Sequence, residues 1–131
     1  MKHLIPPNAA AHVSTHVDDA LSAEEIGSGD IPVLATPMMI ALMEKAAADS
    51  VLEYLGPEET TVGSRINVDH VRPTPLGDTI TAEAILVKQD GNRLTFSILA
   101  RDSRGLIGQG EHVRNIINKK EFLKRVYPGG K

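Results

Sequence analysis

The sequence predicts an α+β domain in which one antiparallel sheet wraps a single long helix. Three observations carry this. A nearly all-apolar stretch opens at Thr36-Pro37 and stops at Gly56-Pro57, later segments alternate apolar and polar residues, and Asp90-Gly91 marks a tight turn between two of them.

With 131 residues the chain is long enough for one core and not for two, so residues 1–131 read as a single domain. The net charge is −3 and no basic stripe is interleaved with aromatics, so nucleic acid is not expected as a partner. Cysteine is absent, which removes thiolate catalysis, disulfides and cysteine-based metal sites and fits a cytoplasmic protein. Met1 to Ala11 lacks the continuous apolar run of a signal peptide. No window approaches the ~20 apolar residues that cross a bilayer, so no membrane is expected. Two Phe, two Tyr and no Trp leave the core to Ile, Val, Leu, Met and Ala. A small chain so poor in aromatics often gains stability by pairing, and a homo-oligomer is expected.

The elements follow in order. Ala9 to Ala20 reads as a first strand. Ser22 to Leu34, with Gly27, Gly29 and Pro32, reads as an irregular, mobile approach to the helix. Thr36 can cap the helix, its hydroxyl accepting from an orphan N–H, and Pro37 suits the first helical position. Lys45, Asp49 and Glu53 form one polar stripe. Glu44 lies roughly 140° from the middle of that stripe, among Ile40, Ala41, Ala47 and Ala48, which predicts a buried carboxylate. In Val62 to Arg72, alternation puts Val62, Ile66, Val68 and His70 on one face and Arg65, Asn67 and Asp69 on the other. Pro73 to Asp78 is a turn. Thr79 to Lys88 turns Ile80, Ala82, Ala84 and Leu86 inward, and Arg93 to Arg101 does the same with Leu94, Phe96, Ile98 and Ala100. Leu106 to Ile117 is the last strand, and Lys119 to Tyr127 is a short basic helix or tail.

Three residues stand out because a hydroxyl, a carboxylate and an imidazole directed at a core are a poor way to build stability. Each also has an inert reading: Thr36 as a cap, Glu44 as a carboxylate that reaches the surface or pairs with a base, His70 as a satisfied core histidine. The functional reading makes Glu44 a desolvated general base or nucleophile. It puts His70 at a strand end beside a turn, where sites tend to sit, and Thr36 at a helix N-terminus that stabilises an oxyanion. Thr36 and Glu44 are separated by about 12 Å along an ideal helix and cannot bond to each other there. A shared site then needs either unwinding near Thr36 or two subunits with antiparallel helices. Gly108, Gly110, His112 and Arg114 share one face of the last strand. The glycines suggest a close backbone approach, and Arg114 calls for a carboxylate or phosphate, or else faces solvent. His3, His12, His16, His70 and His112 show no metal-ligand spacing, and neither a metal nor a cofactor is expected. No dinucleotide, phosphate-loop or Gly-x-Ser-x-Gly pattern is present.

The segments ATPMMIALMEKAA and HVRPTPLGD, with Gly63 and the stretch Gly108-Gln109-Gly110-Glu111-His112-Val113-Arg114, resemble the hot-dog-fold thioesterases, within them the fluoroacetyl-CoA thioesterase-like group. The likeness runs from about Val33 to Ile117. It implies a catalytic set of Thr36, Glu44 and His70, with Gly63 lining the acyl-binding region and Arg114 at the site. Gly63 has opposite strand parity to His70, so a shared site needs a bulge between them or a role for the Gly63 backbone alone. The resemblance also implies a helix wrapped by five antiparallel strands, paired into a dimer with a ten-stranded sheet, or a dimer of such dimers. The specialised fluoroacetate enzyme guards its acyl pocket with aromatics before the helix. Ser22 to Leu34 has none, so a short or medium acyl-CoA is the expected substrate, its adenosine-diphosphate end near Arg72, Lys119 or Lys120. The rival expectations are a non-catalytic acyl-CoA-binding module on the same scaffold and an enoyl-thioester hydratase or dehydratase. The latter usually carries an aspartate–histidine loop that this sequence lacks.

Overall fold

Met39, Met43, Ala46, Ala47 and Val51 give helix α2 (Thr36–Leu52) one fully buried face, and an antiparallel sheet covers it. The computed structural model describes residues 4–130. His3 therefore lies outside the described residues. Along the chain, β1 (Ala10–His16) leads through a 3₁₀ turn (Asp19–Leu21) and the short helix α1 (Ala23–Ile26) into α2. Strands β2 (Glu59–His70), β3 (Thr79–Asp90), β4 (Arg93–Asp102) and β5 (Gly105–Asn118) follow, then helix α3 (Lys119–Val126). The five strands form one sheet in the order β1-β3-β4-β5-β2, antiparallel throughout.

The expected inward residues of β3 and β4 are all buried: Ile80, Ala82, Ala84 and Leu86, and Leu94, Phe96, Ile98 and Ala100. Alanines on both the helix and the strands let the backbones approach closely, so a core poor in aromatics can still pack. The β3–β4 turn is the two-residue loop that Asp90-Gly91 announces. Gly91 takes its first central position at φ 61°, a conformation glycine adopts without steric penalty. The segment before α2 is less irregular than expected. Ser22 caps α1 through its hydroxyl, and two isolated bridges pair Ser22 with Leu34 and Val33 with Pro75.

Two local expectations need correction. The residue before the helix is Ala35, which makes no side-chain cap, and Thr36 is already helical. Its hydroxyl is committed elsewhere. In β2, Gly63 pairs with Arg114 and Arg65 with Val113, so Ser64 is an extra residue. Such a bulge reverses the alternation. Thr61 and Gly63 therefore share the helix-facing side with Ile66, Val68 and His70, while Val62, opposite Asn115, lies on the other side.

The two glycines of β5 are close-approach positions, one against the helix and one against a strand. A Cβ at Gly108 would sit 2.7 Å from the Met39 sulfur, and one at Gly110 would collide with the Asn67 carbonyl oxygen of β2. Gly110→Ala should therefore destabilise by at least the ~1–3 kcal/mol typical of overpacking. Gly129→Ala, with open space around it, should change little in the same urea titration.

Candidate active site

Two groups of polar side chains lie on the α2–β2 side of the molecule. The first forms where α2 begins and β2 ends. Thr36 Oγ1 and His70 Nδ1 are 2.7 Å apart, a hydrogen bond that joins residues 34 positions apart in sequence. Burial lowers the His70 pKa from its ordinary value, and the nearby Arg72 backbone offsets part of that shift. His70 is thus a neutral base at pH 7. Its Nε2 is buried without a hydrogen-bond partner among the described residues. A cavity of about 270 Å³ opens over this pair, lined by Ala23, Ser28, Val33, Leu34 and Pro73 together with Thr36 and His70. The helix start offers fewer oxyanion donors than an ordinary N-terminus. Pro37 has no N–H, and those of Met38 and Met39 both donate to the Ala35 carbonyl, which leaves the Thr36 N–H.

The second group forms two turns along the helix. Glu44 meets Gly63, His112 and Arg114 there, with Glu44 Oε2 4.0 Å from His112 Nε2. Arg114 donates from Nε to Thr61 Oγ1 (2.8 Å), from Nη2 to the Thr61 carbonyl (2.9 Å) and from Nη1 toward His112 Nε2 (3.3 Å). Burial lowers the Arg114 pKa, and the Glu44 charge opposes this. The expected anion for Arg114 is thus a nearby carboxylate, although no ion pair closes between them. The expectation of a buried Glu44 fails for the single protomer. Its side chain is 42% exposed, because Ala41 on its flank is itself open to solvent. The three residues of the expected set are accordingly not assembled as one cluster. Thr36 and His70 meet, and Glu44 stands apart with Gly63 and Arg114.

A third element ties the first group down. The Asp102 carboxylate accepts from Arg72 Nη2 (2.6 Å), Thr74 Oγ1 (2.9 Å) and the Arg104 N–H (2.8 Å). The Thr74 carbonyl in turn accepts from the Leu34 N–H, two residues before Thr36. The end of β2 and the approach to α2 are thereby fixed to one anion. Burial pushes Asp102 up, but Arg72, Arg104 and Thr74 outweigh it and hold its pKa below the ordinary range. Arg72 is thus occupied by Asp102, contrary to the expectation that it meets the adenosine-diphosphate end of a substrate. Lys119 and Lys120 remain exposed on α3. Among the described residues no cluster of three or more His, Asp or Glu could hold a metal ion, and no helix is long and apolar enough to cross a membrane. Sequence reading misses Asp102 altogether and places His112 on its face without a role. The Gly-x-His-x-Arg alternation is the one signal that marks His112.

Residues 17–120 match the model of the fluoroacetyl-CoA-specific thioesterase family. The chain is 38% identical over 94 residues to the fluoroacetyl-CoA thioesterase of Streptantibioticus cattleyicolor, covering 72% of this chain and 68% of that protein. A solved structure of a fluoroacetyl-CoA thioesterase superposes with a TM-score of 0.89 at 28% identity, over 98% of this chain and 99% of that one. A thioesterase superfamily member from Thermus thermophilus gives 0.86 at 27%, over 95% of each chain. A hot-dog-like protein from Thermanaerovibrio acidaminovorans shares the fold at 22% identity, with a TM-score of 0.86 over 97% of this chain and 96% of that one. The fold is the hot-dog fold of thioester hydrolases. The chain belongs to the fluoroacetyl-CoA-specific thioesterase family.

Two histidines make the stability of this arrangement pH-dependent. His112, like His70, is held below the ordinary imidazole value of 6.5, chiefly by burial. Below that value the unfolded chain binds protons that the folded chain refuses, so stability is full above it and falls as pH drops through the folded values. Urea midpoints should be lower at about pH 5.5 than at about pH 7.5, and His70→Gln should flatten part of the slope.

Proposed function

We propose that this protein hydrolyses short or medium acyl-CoA thioesters, with Thr36, Glu44 and His70 as its catalytic set and Gly63 and Arg114 at the acyl group. The observation that carries the proposal is the 2.7 Å Thr36–His70 hydrogen bond at a small cavity of mixed polar and apolar lining, in a chain of this family. His70, neutral and hydrogen-bonded through Nδ1, takes the proton of the attacking oxygen, either that of Thr36 or that of a water held by it. The Thr36 N–H faces the developing oxyanion at the helix N-terminus. The C–S bond then breaks, His70 returns the proton to the departing thiolate, and an acyl-Thr36, where one forms, is cleaved by water, giving the carboxylate and the coenzyme A thiol. The lack of any aromatic residue in Ser22 to Leu34 supports a general small acyl group over fluoroacetyl selectivity.

The site is proposed to be composite, Thr36 and His70 coming from one protomer and Glu44, Gly63 and Arg114 from its partner in a homodimer. Two observations support this. Within one protomer the two groups are about 12 Å apart along the helix, the rise of eight residues. Strand β2 ends the sheet with β5 as its single neighbour, and Gly63 to Asn67 on it are all exposed. Antiparallel β2–β2 pairing about a two-fold axis at Asn67, with Ser64 bulged out, sets residue 63 of one copy opposite residue 70 of the other. It also covers Glu44, supplying the desolvation that a single protomer lacks.

Free-thiol release from a panel of acyl-CoAs tests the activity. Glu44→Gln and His70→Ala should each lower turnover roughly 100-fold or more, the scale typical of acid–base catalysts. Near-wild-type rates in both would remove the mechanism, and tight acyl-CoA binding without thiol release would point to a binding module. Subunit mixing tests the composite site. Glu44→Gln and His70→Ala protomers, each inactive alone, should regain about a quarter of wild-type activity after random exchange, because half the dimers are hybrids with one intact site. No recovery after verified exchange would put all three residues within one protomer.

A further inference from the structure

We propose that His112 is a positioning residue that, locked in its Nδ1–H tautomer, orients Arg114 and leaves Glu44 unpaired; this rests on the functional reading above. His112 lies between Gly110 and Arg114 on the helix-facing side of β5 and is 1% exposed. A buried polar ring must satisfy its nitrogens, and both have assigned neighbours. Nδ1 lies 2.7 Å from the carbonyl oxygen of Arg65, the residue that closes the β2 bulge. A carbonyl only accepts, so Nδ1 carries the proton. The neutral ring then presents a bare Nε2, 3.3 Å from Arg114 Nη1 and 4.0 Å from Glu44 Oε2.

That lone pair treats its two neighbours differently. It accepts an N–H from Arg114, completing a guanidinium whose other side is held by the Thr61 hydroxyl and carbonyl. It has nothing to donate to Glu44, whose oxygens stay free for substrate or water. Gly63 shows where these groups converge. A Cβ there would lie 3.0 Å from Glu44 Oε2, 3.1 Å from His112 Cε1 and 3.4 Å from Arg114 Nη1. The missing side chain leaves open the one point that all three side chains surround. Among the groups facing the ring, Glu44 on α2 and Arg114 on β5 are charged, while Phe96 on β4 and the Arg65 carbonyl on β2 do not titrate. A proton on Nε2 would repel Arg114 and draw Glu44 into an ion pair, disabling both.

The first test needs no activity. Nitrogen-15 spectra of the wild-type protein near pH 7 should show His112 protonated at Nδ1 and bare at Nε2; the opposite tautomer or an imidazolium would overturn the proposal. The second test uses His112→Gln, whose amide oxygen can reach the Nε2 position, and His112→Asn, which reaches only that of Nδ1. The Asn variant should raise KM for an acyl-CoA roughly 10-fold or more with a smaller change in kcat, the scale of a misplaced binding group. The Gln variant should stay nearer wild type, and Arg114→Lys should add little on top of His112→Asn. Equal effects of Gln and Asn, additive with Arg114→Lys, would reduce His112 to packing. Should neither variant fold, the wild-type spectrum decides alone. A wild type inactive on every acyl-CoA would fail the functional reading while leaving the tautomer answer standing.

Discussion

One extra residue in one strand decides which side chains this protein can bring together. Ser64, bulged out of the β2–β5 ladder, reverses the strand's alternation between Gly63 and Arg65. Without it Gly63 and His70, seven positions apart, would face opposite sides of the sheet. With it Thr61, Gly63, Ile66, Val68 and His70 all face the helix. The same bulge sets the Arg65 carbonyl against His112 Nδ1, so the strand irregularity fixes the protonation of a buried ring on the neighbouring strand. Gly110 sits so close to the β2 backbone at Asn67 that no side chain would fit. The two strands therefore hold their register through a close contact as well as hydrogen bonds.

Most of the scaffold was legible in the sequence because it follows from periodicity. The inward faces of β3 and β4 alternate without interruption, and α2 has end signals in Thr36-Pro37 and Gly56-Pro57. What was not legible depends on tertiary contact. A threonine before a proline at a helix start looks like a cap. It is instead the first helical residue, because a histidine 34 positions later competes for its hydroxyl. Glu44 looks buried on a helical wheel, yet no strand of its own sheet covers Ala41 beside it. A wheel shows which residues avoid the polar stripe and not what lies opposite them. Parity placed Val62 with His70, and the bulge placed Thr61 and Gly63 there. The conflict between Gly63 and the family's pattern was itself the clue that such a bulge should exist.

Asp102 shows the opposite limit. It follows an alternating strand into a turn of Ser103 and Arg104, a setting in which an aspartate ordinarily faces water. Instead its carboxylate gathers Arg72, Thr74 and the Arg104 N–H, and its side chain is fully covered. Nothing local in the sequence reports this, because two of its partners come from the loop after β2, about thirty positions earlier. Through the Thr74 carbonyl and the Leu34 N–H the same anion reaches the start of α2. Thr36 and His70 thus inherit their placement from a polar knot that takes in Thr74 of the Pro73 to Asp78 turn.

The two polar groups of the protomer differ in charge as well as place, and the difference is chemically useful. At the start of α2 a neutral imidazole faces a hydroxyl, and burial keeps it neutral. Two turns along, a carboxylate stands near a guanidinium that touches it only across a gap, with a neutral ring between them. Had Glu44 bonded directly to Arg114 or to a protonated His112, its charge would be spent within the protomer, and burial on dimerisation would enclose a finished ion pair. Held apart, it would meet a second protomer of the proposed dimer with its lone pairs unclaimed. A buried, unpaired charge is costly, and exposure of Glu44 in the single chain is how that cost is deferred. Closure of the proposed interface would impose it on an assembled site, with the other protomer's neutral imidazole beside the carboxylate.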